Sequence, residues 1–149
     1  MDKAKALGLT PLETTVIASI IQDETAKEEE KPAIAGLYHN RLKRGMLLQA
    51  DPTIKYAMKN FELRRITNEM LKFESPYNTY LYAGLPPGPI NFPETSSIDA
   101  ALNPAKHNYI YMCAKEDFSG YHNFATNLSD HNRNAAKYQR ELNNNKIWK

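Results

Sequence analysis

One cysteine, Cys113, in a chain of 149 residues excludes an internal disulfide and any zinc or iron–sulfur site built from several thiolates. It leaves the redox compartment open, because a chain of this length buries roughly two-thirds of its unfolded surface and needs neither bridges nor a metal to hold together. No apolar run approaches the roughly 18 residues of a membrane span, and Met1-Asp2-Lys3-Ala4-Lys5 lacks the apolar core of a signal peptide. As given, the chain is expected to be soluble. Because it begins almost inside its first helix, it reads as a domain of a longer protein whose anchor or signal lies elsewhere. With 19 Lys+Arg against 17 Asp+Glu the net charge is +2, too small a basic excess to point to nucleic acid or an anionic lipid surface. The histidines His39, His107, His122 and His131 are scattered, with no HExxH pair and no clustered carboxylates, so no metal is expected. There is no GxSxG elbow and no glycine-rich phosphate loop, and Ser96 and Ser97 read as helix caps rather than nucleophiles. No organic cofactor is expected either.

With no internal repeat and no low-complexity tract beyond Glu28-Glu29-Glu30 and Asn143-Asn144-Asn145, one compact unit is expected. Thr10-Pro11-Leu12-Glu13 is a strong helix start, since Thr10 can cap free N–H groups, Pro11 has none to satisfy and Glu13 can complete a capping box. That helix is predicted from residue 11 to about 29. After Pro32, the spacing of Ile34, Leu37, Tyr38 and Leu42 predicts a second helix, stopped near Lys43, Arg44 and Gly45, that packs on the first. Asp51-Pro52 starts a helix to about residue 58, and Thr67 can cap a shorter one to about 73. Residues 75–93 are rich in proline and read as a long, stiff, ordered loop, a kind that is usually functional. Ser96-Ser97-Ile98-Asp99 starts a short helix, residues 109–114 and 121–125 read as a hairpin, and Asn127 or Ser129 caps a last helix to about 142. The fold class is α+β: a helix-rich single domain with a small antiparallel sheet.

Stepping about 100° per residue along the first helix puts Leu12, Val16, Ile17, Ile20 and Ile21 within half the circumference, and Glu24 falls in the same arc. A core-facing carboxyl group is either paired with a cation or left in an apolar pocket, where its pKa rises and it becomes a usable proton donor near neutrality. The alternative is that the helix turns outward, so that Glu24 joins Glu28, Glu29 and Glu30 on a solvated face with Lys27 and Lys31. Asp23, at the edge of the arc, is a rival with a shorter reach. Tyr77, Asn78, Thr79, Tyr80, Tyr82, Asn123, Thr126 and Asn127 offer rings to stack on sugars and amides to match hydroxyls, or else packed loop aromatics and turn-forming asparagines.

Leu9-Thr10-Pro11, Ala18-Ser19-Ile20-Ile21-Gln22-Asp23-Glu24-Thr25-Ala26, Asn40-Arg41-Leu42, Gly45-Met46-Leu47-Leu48-Gln49-Ala50-Asp51-Pro52-Thr53, Tyr77-Asn78-Thr79-Tyr80, Gly84-Leu85-Pro86-Pro87-Gly88-Pro89-Ile90 and Asn103-Pro104-Ala105 follow one another in this order. They continue through His122, Phe124, Asn127, Leu128, His131 and Asn132. In these blocks the chain resembles the endolytic murein transglycosylases of the YceG-like (MltG) family along nearly its whole length from Leu9. Two departures stand out: Gln22, where the family often has Glu, and Gly120-Tyr121-His122-Asn123 in place of a Gly-Gly-His pattern.

The resemblance implies a lysozyme-like groove around a helix-borne acid, with Glu24 as catalytic residue, and the phase argument above meets it on the same position. The groove is expected to be lined by the 75–93 loop. The implied substrate is peptidoglycan, cut inside the strand between N-acetylmuramic acid (MurNAc) and N-acetylglucosamine (GlcNAc) without water, with 1,6-anhydro-MurNAc ends left behind. By the same resemblance Gln49, Asp51, Tyr77, Asn78, Thr79, Tyr80, His122 and Asn127 are substrate-binding candidates. Family members usually carry an N-terminal membrane anchor and a small LysM-like domain, so the chain is expected to be the catalytic domain of an envelope protein. In the full-length protein that anchor would hold it at the outer face of the bacterial inner membrane, in contact with glycan strands and cell-wall synthesis proteins. Two other readings stay open, a non-catalytic peptidoglycan-binding module and a two-carboxylate glycoside hydrolase using Glu24 with Asp23, Asp51 or another acid.

Overall fold

Thr10 caps the helix that organises the molecule. In the computed structural model, which describes residues 2–60, 62–63 and 66–145, its hydroxyl accepts the Glu13 N–H at 3.1 Å while the Glu13 carboxylate accepts the Thr10 N–H at 2.9 Å. This reciprocal box starts α2 (Pro11–Glu24), which follows a short α1 (Asp2–Ala6). Predicted to about residue 29, α2 instead stops at Glu24. Thr25 is extended (φ −149°, ψ 144°) and its hydroxyl takes the Lys27 N–H at 3.0 Å, which gives the backbone a local partner in place of the next helical turn. A 3₁₀ turn, Glu28–Glu30, leads into α3 (Lys31–Lys43).

Val16, Ile17, Ala18, Ile20 and Ile21 of α2 are buried against Ile34, Leu37 and Tyr38 of α3, Ile90, and Ala100 and Ala101 of α5 (Thr95–Leu102). Leu12, expected on the same face, is 57 % exposed; it lies in the first turn, at the rim of the apolar arc. The cap of α4 (Asp51–Met58) is Ala50 rather than Asp51, whose carboxylate is free to turn elsewhere. Ser96 and Ser97 do not cap α5 either: Ser97 donates to Gln22 Oε1 at 2.7 Å, and Lys31 Nζ, buried, donates to Ser96 Oγ at 2.8 Å. Around Thr67 only a 3₁₀ turn, Met70–Lys72, forms.

Residues 75–93 hold neither helix nor strand, as expected, and Ile90 N–H anchors them to Ser19 Oγ at 3.1 Å. The hairpin pairs β1 (Tyr111–Ala114) with β2 (His122–Ala125), Met112 facing Phe124 and Ala114 facing His122. Its entry is held by α3. Asn40 Nδ2 donates to the His107 and Tyr109 carbonyls, both at 2.9 Å, and Arg41 Nε to that of Ile110 at 2.6 Å. A Cβ at Gly36 would meet the Ala105 carbonyl oxygen at 2.3 Å, so glycine lets this segment lie directly on α3. Asn127 caps α6 (Leu128–Asn144) by accepting the Asp130 N–H at 2.8 Å, and α6 packs on both strands. The result is the expected α+β class, helices with one small antiparallel sheet. No helix among the described residues is long and apolar enough to cross a membrane.

Candidate active site

The C-terminal end of α2 opens on a cavity of about 350 Å³ whose walls come from α3, α4, the hairpin and α6. Glu24 stands at that end with its side chain 14 % exposed. Tyr38 of α3 donates its hydroxyl to Glu24 Oε2 at 3.0 Å, and His122 Nε2 of β2 lies 4.0 Å from Oε1. Removal from water disfavours the charged form and pushes the Glu24 carboxyl up to about 7. The nearby Asp51 adds to this rise, and His122, the Tyr38 hydroxyl and Lys55 oppose it. The negative end of the α2 dipole acts in the same direction as burial.

Asp51, on the same cavity wall, accepts the Tyr80 hydroxyl at 2.5 Å, and its own pKa is raised by burial against the pull of Tyr80 and Lys55. Asp23 also lines the cavity. Gln49 holds a left-handed backbone (φ 51°), with its N–H on the Thr79 carbonyl at 3.2 Å and its Oε1 3.4 Å from Arg41 Nη1. Of the candidates named from the sequence, the cavity thus brings together Glu24, Gln49, Asp51, Tyr80 and His122.

The other four stand apart. Asn78, 0 % exposed, donates to the Leu71 and Phe73 carbonyls at 3.0 and 2.7 Å and accepts the Tyr80 N–H at 2.8 Å. Thr79 Oγ1 accepts the Ala50 N–H at 2.9 Å and lies 2.9 Å from Thr53 Oγ1. These two clamp the loop to the start of α4 and so fix Tyr80. Tyr77 packs its ring 4.8 Å from that of Tyr56, and Asn127 is spent on the α6 cap. Tyr80 is accordingly the one residue of the 75–93 loop on the cavity wall; the rest of the wall expected from that loop comes instead from α4, the hairpin and α6. Asn78→Ala would leave two buried carbonyls without their donor. It is expected to lower stability by about 2–4 kcal/mol, read as an earlier urea midpoint.

Gln22 does not line the cavity and accepts from Glu94 N–H and Ser97 Oγ at 3.1 and 2.7 Å, a structural use for its amide. Two residues of the site escaped sequence reasoning. Tyr38 was visible only as part of an apolar stripe, although a core-facing phenol needs a partner and so carried a signal. Glu30 lay in an acidic run assigned to solvent, yet it is buried and holds His122. His131, stacked on Tyr111 with centroids 5.0 Å apart, completes the α6 side of the wall.

A helix-rich α+β domain in which desolvated carboxyl groups, Glu24 raised furthest among them, face a polar cavity defines a class of protein equipped for general acid–base chemistry. Within that class, the chain belongs to the YceG-like family, whose sequence profile matches residues 1–137. It is 41 % identical over 122 residues to the endolytic murein transglycosylase of Bacillus subtilis, covering 82 % of this chain and 33 % of that protein. It is 36 % identical over 138 residues to the endolytic murein transglycosylase of Streptococcus pneumoniae, covering 90 % of this chain and 25 % of the relative. The crystal structure of a yceG-like protein from Listeria monocytogenes superposes with a TM-score of 0.81 at 36 % identity, over 89 % of this chain and 42 % of that one. The chain therefore spans between a quarter and a third of the length of these two transglycosylases.

Proposed function

We propose that this chain is the catalytic domain of an endolytic murein transglycosylase and cleaves peptidoglycan strands between MurNAc and GlcNAc with Glu24 as the only acid–base group. The observation that carries this reading is the Glu24 carboxyl group, desolvated, held by Tyr38 and raised to about 7 at the cavity. Near neutrality such a group is present in both forms, which a single residue serving two proton transfers requires. In the first transfer Glu24 donates its proton to the glycosidic oxygen as the bond from MurNAc C1 breaks. The C6 hydroxyl of the same MurNAc then attacks C1, and its proton passes to the Glu24 carboxylate. The products are a free GlcNAc 4-hydroxyl and a 1,6-anhydro-MurNAc end; no water is consumed and Glu24 is restored.

Asp51, Tyr80, Gln49 and His122 are the polar groups placed to face the sugar and the positive charge that develops at C1. Residues 77–79 and Asn127 serve the site indirectly, through the loop clamp and the α6 cap. The relatives' names support a place in the bacterial cell envelope, with peptidoglycan as the partner. Anchorage at the outer face of the inner membrane through an N-terminal segment, and contact with cell-wall synthesis proteins, belong to the same proposal.

Asp51 on the same wall favours one other reading, a hydrolase in which a second carboxylate activates water. Mass spectrometry of digested peptidoglycan separates them. Anhydro ends are expected; reducing ends would assign the hydrolase, and intact strands would leave a binding module.

A further inference from the structure

Three donors converge on the carboxylate of Glu30. The His122 backbone N–H reaches Oε2 at 2.7 Å, its ring Nδ1 reaches Oε1 at 2.9 Å, and the Thr25 hydroxyl reaches Oε1 at 3.2 Å. Because a carboxylate only accepts, the Nδ1 proton is fixed on the Glu30 side and Nε2 is turned toward Glu24. A second contact ties the same two segments together, Lys27 Nζ over the Tyr121 ring at 5.1 Å. The early end of α2 at Glu24 is what permits this, since a helix continuing to residue 29 would carry Glu30 along its own axis instead of across to the hairpin.

From this geometry we infer that Glu30 is a positioning residue for the reaction, acting on Glu24 through His122. This rests on the assignment of Glu24 as the acid–base group. Tyr38 holds Oε2 of Glu24 from α3, and the ring held by Glu30 faces Oε1 from β2, so each oxygen meets one oriented polar group. When Glu24 has given up its proton, the Nε2–H of a protonated His122 ring, its other proton held by Glu30, is the nearest group of opposite charge on the Oε1 side, and in that form His122 favours the Glu24 carboxylate. The other charged or titratable groups around Glu24 are Asp51 and Lys55 of α4, Tyr80 of the loop and the adjoining Asp23; those around His122 are Glu24 and Glu30, with Tyr121 beside Glu30.

The test is Glu30→Gln, which keeps the size of the side chain and one acceptor oxygen. Its amide can no longer hold the backbone N–H and the ring N–H with two equal acceptors, and His122 is released to change tautomer. With that support gone, Glu24 ionises less readily. Its carboxyl carbon, followed by NMR without substrate, is expected to titrate at higher pH than in the wild type. The pH limb of anhydro-product release should move the same way, and kcat should fall about 10–100-fold, the size of loss seen when the carboxylate behind a metal-bound histidine is removed. KM should stay within about two-fold. Glu30→Asp, which restores the charge, should recover part of the shift and serves as the variant to measure if the Gln protein does not fold. In the wild type, ring nitrogen shifts must report a proton on Nδ1 of His122, facing Glu30. The opposite tautomer, or a Glu24 titration that stays in place or moves down in a folded Glu30 variant, overturns the inference. The NMR readouts hold even if Glu24→Gln retains activity, an outcome that would sink the Glu24 assignment instead.

Discussion

Glu24→Gln is expected to end the release of anhydro-muropeptides while leaving a folded protein that still binds glycan. The amide matches the carboxyl group in size and can still accept the Tyr38 hydroxyl, which lies 3.0 Å from Oε2. It can neither protonate the glycosidic oxygen nor take the C6 proton. One such transfer typically contributes about 10²–10⁴-fold. With one residue serving both, the fall is expected at or beyond the top of that range. Asp51, Tyr80 and Gln49 are untouched, so affinity for undigested strands should hold. The basic limb of the wild-type profile should lie near pH 7, because the free enzyme must carry the proton that the first step consumes and the carboxyl group is raised to about 7. Anhydro ends formed by the Gln protein at the wild-type rate would show that another group is the acid.

What the sequence made visible was mostly local. The Thr10–Glu13 box, the Asn127 cap and the hairpin depend on residues close together in the chain, and each formed where the side-chain chemistry required. The inward placement of Glu24 was legible in the same way, from the phase of Val16, Ile17, Ile20 and Ile21. The end of α2 was not. Helix propensity runs on through Lys27 and the glutamates, and what stops it is the Thr25 hydroxyl together with a tie between Glu30 and His122, 92 residues apart in sequence. A helix continuing through Lys27 places Glu30 in a solvated run and hides half of the arrangement behind Glu24. The Tyr77-Asn78-Thr79-Tyr80 segment misled in a related way. Polar residues in a long loop look equally suited to sugar and to the loop's own backbone, and only the positions of Leu71, Phe73 and Ala50 show that Asn78 and Thr79 are used internally while Tyr80 reaches the cavity.

The same carboxyl group that equips the site should weaken the fold, and the pH dependence of that weakness is the second large effect expected. In the unfolded chain Glu24 ionises near its ordinary value of 4.5, and in the folded protein at about 7. Below about 4.5 both states carry the proton and the group contributes nothing. Between about 4.5 and 7 the unfolded state releases the proton first, so stability falls as pH rises. Above 7 the folded protein holds a desolvated carboxylate at a constant cost, on the order of 3 kcal/mol when the linkage is integrated over that interval. Gln at this position does not titrate. The Glu24→Gln protein should thus melt close to the wild type at pH 4.5 and roughly 6–12 °C higher at pH 8, since 1 kcal/mol moves the midpoint of a domain of this size by about 2–4 °C. Asp23, raised by burial, is present in the two proteins and cancels in the difference, whereas Asp51 is coupled to Glu24 and its part of the rise is already counted in the Glu24 value. A Glu24–His122 ion pair strong enough to stabilise the fold predicts the opposite sign, a loss of about 3–5 kcal/mol on removing one partner of a buried pair. Calorimetry of both proteins at pH 4.5, 6 and 8 decides between them: a gap that stays constant or reverses across this range means that Glu24 is held as a paired carboxylate and not as the neutral acid that the first step of cleavage needs.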